Sequence, residues 1–325
     1  MLDQKLVQSS WDSRVAARLA SYGSVLVLVA VALIGLFAPR LAAAAGPVVL
    51  VVAGVLGLPH GAVDHLAVGW GRGRAGRPRP SFLLAYALAA VAAAALAVAD
   101  PAPAVLVLLV LSAAHFAEGE LAFDRLRGGC GLVLPAAAIG TWIVAGPLLL
   151  RPAQARPLLA SLDPYLPGLV ASARAPVLAA AVLLVLAGAA VAVRSRNWRT
   201  AGELAVVVLA TTVAPALLVF GGWFAGWHAS RHLVRLAALQ PYGDGRARTI
   251  ALVKGAAGPT AVAIAGVSAL VLVTGGLSSA VLVALLALTV PHAAVVAWLG
   301  RLPGSELLEG HPGAHLGGMD AVGGA

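Results

Sequence analysis

The stretch VLAAAVLLVLAGAAVAV, residues 177–193, contains no charged side chain. Comparable apolar runs occupy residues 25–38 and 83–99. A helix needs about 20 largely apolar residues to cross a bilayer, and these runs approach that length. A transmembrane barrel would instead show alternating hydrophobicity in segments of about ten residues. The sequence therefore predicts an all-α fold, a polytopic transmembrane helical bundle.

The composition agrees with a membrane protein. Of the 325 residues, 61% are hydrophobic and 11% are charged, whereas a typical soluble domain has about 25% charged residues. The mean hydropathy is +0.95. We expect a single membrane-embedded domain over residues 1–325, with a cytoplasmic N-terminal segment at 1–20 and a flexible C-terminal tail at 301–325.

The net charge of +9 does not indicate a nucleic-acid partner, because the cations lie in short loops between apolar segments. Cations in such positions set the orientation of membrane helices. Cys130 is the only cysteine, which excludes an intrachain disulfide and a cysteine-rich metal site.

Hydropathy and turn-forming residues predict about ten helices. The pair Gly221 and Gly222 is interpreted as one of the turns. The predicted helices are 21–38, 46–70, 81–99, 103–123, 131–150, 174–193, 200–219, 221–240, 250–274 and 277–299.

The distribution of Lys and Arg predicts the orientation of this bundle. With a cytoplasmic N-terminus, ten helices place 18 of the 22 cations on the cytoplasmic side and 4 on the other side. We therefore expect a multi-pass protein of the inner (plasma) membrane with both termini in the cytoplasm. The apolar run at 21–37 could be misread as a cleaved signal peptide, but it exceeds the usual length of about 7–15 residues. We interpret it as an uncleaved first helix.

Four histidine-bearing segments fall on even-numbered predicted helices: GLPHGAVDH (57–65), SAAHFAEGE (112–120), GWHASRH (226–232) and VPHAAVV (290–296). In three of these segments, the histidine precedes the next loop arginine by a similar number of residues. This spacing places it about 13–18 Å from the cytoplasmic boundary of the membrane. Ionisable residues inside a bilayer are costly, which makes them candidates for a functional site. A single such histidine is more often a hydrogen-bond partner between helices, but the shared depth favours one common centre.

The histidines of this layer predict a metal site. His228 and His232 are four residues apart and share a helical face, so both can reach one ion. His60 and His115 would complete a set of four metal ligands. Neutral imidazoles suit Fe, Zn, Cu and Ni.

Acidic and basic residues near these histidines extend the predicted site. We place Asp64 and Glu118 in the catalytic centre, where a carboxylate can orient a ligand imidazole. We expect His65, Arg231 and His292 to surround the ligands. Arg231 is expected to pair with Asp64 or Glu118, or to extend to the interface.

At these residues the sequence resembles the Brp/Blh family of membrane β-carotene 15,15'-dioxygenases. The matching elements are Pro59-His60-Gly61 with Asp64 and His65, Ala114-His115-Phe116, Trp227-His228 with Arg231-His232, and Pro291-His292.

The resemblance implies an Fe(2+) centre held by His60, His115, His228 and His232. It also implies dioxygen as cosubstrate and central cleavage of β-carotene or a related carotenoid to two retinal molecules. The implied partners are the lipid bilayer and a retinal-binding rhodopsin. This chain has Ala117 where the family pattern has glycine, which predicts a reshaped pocket.

Two other functions fit membrane histidines. A transporter of protons or metal ions can use intramembrane His and Asp, and ten helices could form two five-helix repeats. A haem protein could use His60 and His228 as axial ligands. Metal content and a visible spectrum discriminate these functions.

Overall fold

The computed structural model describes residues 2–70, 80–240, 245–274 and 277–301, and the regular elements within these ranges are all helical. The helices are α1 (Leu2–Phe37), α2 (Pro39–Gly57), α3 (Pro59–Ala62), α4 (Asp64–Trp70), α5 (Pro80–Ala99), α6 (Pro101–Leu126), α7 (Val133–Leu150), α8 (Pro152–Ala160), α9 (Leu166–Arg194), α10 (Trp198–Val213), α11 (Ala216–Trp223), a π-helical segment (Phe224–Ala229), α12 (Ser230–Leu239), α13 (Gly245–Thr274) and α14 (Leu277–Leu299). The predicted all-α polytopic bundle is confirmed.

Seven helical segments among the described residues are long and apolar enough to cross a bilayer. Their outer faces carry large apolar side chains: Phe37 is 78% exposed and Val262 is 72% exposed. A water-soluble surface rarely presents apolar patches of this extent. These faces are suited to contact with lipid.

The predicted boundary between the helices 200–219 and 221–240 is wrong. The chain breaks at Ala214, whose backbone is extended, and Pro215 precedes α11. Gly221 and Gly222 lie within α11 and form no turn. A Cβ atom on Gly221 would lie 3.2 Å from the backbone of Leu50, so this glycine permits close packing of α11 on α2.

Helix α1 includes most of the segment at 1–20 that we predicted to precede the first helix. The connection between the predicted helices 46–70 and 81–99 and the tail at 301–325 lie almost wholly outside the described residues. The connection between the predicted helices 250–274 and 277–299 lies wholly outside them.

Two apolar cores flank the layer that contains the histidines. The first lies among α1, α7, α10 and α11, and includes Ile139 and Trp227. The second lies among α4, α12, α13 and α14, and includes Val63 and Val295. The histidine layer between the two cores is buried: His60 is 7% exposed, His228 3% and His292 5%.

Candidate metal centre

Five buried histidines from five different elements converge between the two cores. The centroid of the His60 ring lies 5.1 Å from that of His228, 5.6 Å from that of His232 and 4.8 Å from that of His292. The centroid of the His115 ring lies 5.0 Å from that of His228. We call this set the histidine cluster: His60, His115, His228, His232 and His292.

The nitrogen atoms of the cluster are arranged in two overlapping groups. In the first group, the ligand atoms of His60, His115, His228 and His292 all lie within 4.8 Å of one another. In the second group, the ligand atoms of Asp64, His232 and His292 also lie within 4.8 Å of one another. His292 is the member that both groups share.

The polypeptide breaks at Pro59 to bring His60 into the cluster. Proline lacks an N–H and crowds the preceding helical turn, and α2 ends at Gly57. Nδ1 of His60 donates a hydrogen bond to the carbonyl oxygen of Gly57. This bond fixes the tautomer and leaves Nε2 available to a metal. The predicted helix over 46–70 is interrupted at Leu58 and Val63, although residues 39–69 form one candidate membrane span.

His228 lies in the π-helical segment Phe224–Ala229, and His232 follows in α12. Short π-helical segments inside α-helices often occur at functional sites. The two rings are nearly parallel, with an interplanar angle of 14° and centroids 6.1 Å apart. The predicted spacing of four residues therefore brings both rings to the cluster.

Aromatic side chains cover the cluster on the side of the first core. Trp223 stacks on His228 with an interplanar angle of 15°, and Phe116 contacts the same ring at 4.7 Å between centroids. Trp223 is completely buried and Phe116 is 6% exposed. These side chains exclude water from the ring of His228.

Asp64 connects the cluster to α5. Nδ1 of His292 donates a hydrogen bond to Oδ2 of Asp64 at 2.8 Å, and the hydroxyl of Tyr86 donates to the same oxygen at 3.0 Å. Asp64 is 2% exposed. The carboxylate that we expected to orient a ligand imidazole thus contacts His292.

The unpaired nitrogens of the cluster fit a metal ion. Among the described residues, Nε2 of His232 and Nε2 of His292 are buried without a hydrogen-bond partner. Leaving such a group unpaired costs about 1–3 kcal/mol. Nε2 of His115 and Nε2 of His228 are 3.3 Å apart. Two nitrogens bound to one ion at about 2.1 Å, at angles near 90–110°, would be about 3.0–3.4 Å apart.

Three predicted site residues lie outside both donor groups: His65, Glu118 and Arg231. His65 is half-buried, and its Nδ1 is 2.9 Å from the carbonyl oxygen of Ala62. Glu118 is half-buried, and its carboxylate approaches the backbone at Gly300, just after α14. Ala117, which we expected to reshape the pocket, is about 200° around the helix from His115. Its backbone lies against Gly140 of α7, away from the cluster.

Arg231 pairs with neither Asp64 nor Glu118, so that expectation is wrong. Its guanidinium donates to Oε2 of Glu120 at 2.7 Å, to Oε1 of Glu203 at 2.9 Å and to the hydroxyl of Ser24 at 2.9 Å. Arg231 is 2% exposed and does not extend to the interface.

These contacts belong to a larger set that joins α1, α6, α10 and α12. Arg127 donates to both oxygens of Glu203, at 2.5 and 2.7 Å, and to Oδ1 of Asp124 at 2.8 Å. Nε1 of Trp227 donates to Oε1 of Glu120 at 2.7 Å. We call the set the buried ion network: Ser21, Ser24, Glu120, Asp124, Arg127, Thr200, Glu203, Trp227 and Arg231.

Sequence reasoning missed three features of this region. It did not identify Tyr86 or Glu203, whose isolated positions on other helices give no local signal. It counted Arg127 among the cations of the cytoplasmic side, although Arg127 is buried in ion pairs with Asp124 and Glu203. It also passed over Glu120, five residues after His115. The cost of burying a carboxylate in a membrane could have marked Glu120 as a residue with a buried partner.

The fold and the cluster define a polytopic helical protein with a buried, histidine-rich centre that can hold a metal. A family model described as Beta-carotene 15,15'-dioxygenase matches residues 51–300, which include all five cluster histidines. The chain therefore belongs to the beta-carotene 15,15'-dioxygenase family. No curated protein and no solved structure matched the chain.

Proposed function

We propose that this protein cleaves β-carotene with dioxygen at the central double bond, at an Fe(2+) centre held by the histidine cluster. The observation that carries the proposal is the convergence of buried imidazoles with unpaired nitrogens in a chain of this family. Both oxygen atoms are used when one C=C bond of a C40 chain becomes two C20 aldehydes. The product is two molecules of retinal.

The proposed iron ligands are those of the sequence prediction: His60, His115, His228 and His232. His60, His115 and His228 also belong to the first donor group, and the unpaired Nε2 of His232 lies in the second. Bound iron would supply the binding and activation of dioxygen. The imidazoles hold the ion, and the aromatic cover of His228 keeps water away.

We propose that the polyene reaches the cluster from the lipid along two phenylalanines. The rings of Phe220 and Phe224 are stacked, with centroids 6.2 Å apart and an interplanar angle of 4°, and both residues are half-buried. The Phe224 ring also contacts His60, at 5.4 Å between centroids. The pair thus extends from a partly exposed position to the cluster. A conjugated apolar chain is suited to this surface because it gains contact area without leaving polar groups unpaired.

We also propose the expected setting: one membrane-embedded domain in the inner membrane, with both termini in the cytoplasm. The apolar outer helix faces support a location in a bilayer. The retinal-binding rhodopsin that would accept the product stays a prediction.

The test is expression in a bacterium that accumulates β-carotene, with iron and oxygen supplied and pigments extracted. We expect the carotene to disappear and retinal to approach two molecules for each carotene consumed. The variant His228→Ala should leave the carotene intact. The control His311→Ala, in the tail beyond the described residues, should behave as the wild type.

Three results would contradict the proposal in different ways. Longer apocarotenals in place of retinal would indicate an eccentric bond. A Soret band in the purified protein would indicate haem. Unchanged carotene in iron-loaded, oxygenated membranes would reject cleavage of this substrate and favour the transporter.

A further inference from the structure

We propose that His292 is itself a metal ligand, and that Asp64 and Tyr86 hold its ring in position. The inference rests on the metal centre of the proposed function and extends its ligand set. The sequence analysis and the family resemblance both left His292 outside that set.

The hydrogen bond to Asp64 determines which nitrogen of His292 can bind a metal. Because a carboxylate accepts, Nδ1 of His292 carries the proton, at 2.8 Å from Oδ2 of Asp64. The lone pair is then on Nε2. Among the described residues, that Nε2 is buried and has no hydrogen-bond partner. A carboxylate behind a histidine is the usual arrangement for orienting a metal-bound imidazole.

The position of His292 is central in the cluster. Its ring centroid lies 4.8 Å from that of His60, 4.8 Å from that of His115 and 5.3 Å from that of His232. It belongs to both donor groups, whereas His232 belongs only to the second. An ion within reach of His60, His115 and His228 would also be within reach of His292.

The charge of Asp64 supports the same assignment. Asp64 is 2% exposed, and among the described residues its ion-pair partner is His292. An isolated buried carboxylate is strongly unfavourable unless positive charge lies nearby. A metal ion on Nε2 of His292 would provide that charge through the imidazole. Tyr86 adds a hydrogen bond to the same carboxylate oxygen, at 3.0 Å.

A structural role would instead make His292 a simple partner of Asp64, with no effect on metal binding. The two roles are separated by titrating the full-length metal-free protein in detergent with Co(2+). The visible absorption bands of Co(2+) respond to the number and type of its ligands. Iron content of the protein purified from cells is the second measurement.

We expect His292→Ala to weaken Co(2+) binding at least about tenfold and to change the visible bands. Added imidazole should restore the wild-type bands by occupying the vacated position. Asp64→Asn should keep the bands but weaken binding about 10–100-fold, and Tyr86→Phe should have a smaller effect. His311→Ala should match the wild type.

If His292→Ala does not fold, His292→Gln provides the same test with a side chain of similar size. A folded His292 variant with wild-type Co(2+) affinity and unchanged bands would overturn the proposal. Metal binding that depends on His292 without retinal formation would reject the dioxygenase and keep the ligand. Retinal formation with metal binding independent of His292 would keep the dioxygenase and reject His292 as a ligand.

Discussion

The histidine cluster and the buried ion network are two polar layers between the same helices, α6 and α12, yet their hydrogen bonding differs. In the cluster, the buried Nε2 atoms of His232 and His292 have no partner among the described residues. In the network, Arg231 makes three hydrogen bonds to side chains and Arg127 contacts two carboxylates. The charged groups of the network pair with one another, whereas the cluster has ring nitrogens left over that could bind a metal.

The two layers also differ in charge. The network combines three carboxylates with two guanidiniums, so most of its charge is balanced internally. The cluster combines imidazoles with the single carboxylate of Asp64. A cation can be added to the cluster at low electrostatic cost, but not to the arginines of the network. The difference favours the cluster as the layer that could hold a metal and the network as the layer that holds helices together.

The largest effect is expected for the double variant His228→Ala/His232→Ala. It removes two imidazoles and should abolish iron retention and carotene cleavage, because too few donors remain to hold the ion. The network stays intact, but the vacated rings leave cavities, so the metal-free variant should also lose stability, by about 2–5 kcal/mol for each large-to-small change. Metal analysis and denaturant unfolding in detergent measure the two quantities. Full iron retention would refute the metal site.

The next effect is expected for Arg231→Ala. Removing one partner of a buried ion pair costs about 3–5 kcal/mol. Glu120 loses its guanidinium partner, and Glu203 keeps that of Arg127. Denaturant unfolding of the metal-free protein should show this loss. Arg156→Ala, at an exposed position in α8, is the control and should change the free energy of unfolding by less than about 0.5 kcal/mol. Equal stability of the two variants would remove the contrast between the layers.

A smaller effect is expected for Trp227→Phe. The substitution removes the hydrogen bond from Nε1 to Glu120 and leaves a buried carboxylate oxygen with one partner fewer. The free energy of unfolding should fall by about 1–3 kcal/mol. Iron content should stay at the wild-type level, since Trp227 belongs to the network although it adjoins His228. A loss of iron without a loss of stability would assign Trp227 to the metal layer.

The helix boundaries show where sequence reasoning succeeded and where it did not. Apolar runs predicted the spans because burial in lipid depends on composition along a single helix. The Gly221–Gly222 pair was interpreted as a turn by the rule for soluble proteins. In α11 the glycines allow backbones to approach, and the break falls at Pro215. Whether a glycine ends a helix or lets another helix pack closely against it depends on the neighbouring helix.

The cluster illustrates the same limit for the site. The spacing of His228 and His232 and the depth of His60 and His115 indicated residues that converge. The role of Asp64 could not be assigned to a particular imidazole, because its partner His292 is 228 residues away in the chain. Tyr86 gave no signal at all, since an isolated tyrosine on a membrane helix is ordinarily an interfacial residue.

The sequence by itself determined the all-α membrane fold, the layer in which the histidines lie and the chemistry that imidazoles offer there. These properties depend on hydrophobicity and on residue spacing within one helix. Only the tertiary structure decided that His292 lies inside the cluster, that Asp64 holds it, and that Arg231 pairs with Glu120 and Glu203. Such pairings depend on the rotation and offset of helices distant in the chain, which no local pattern encodes.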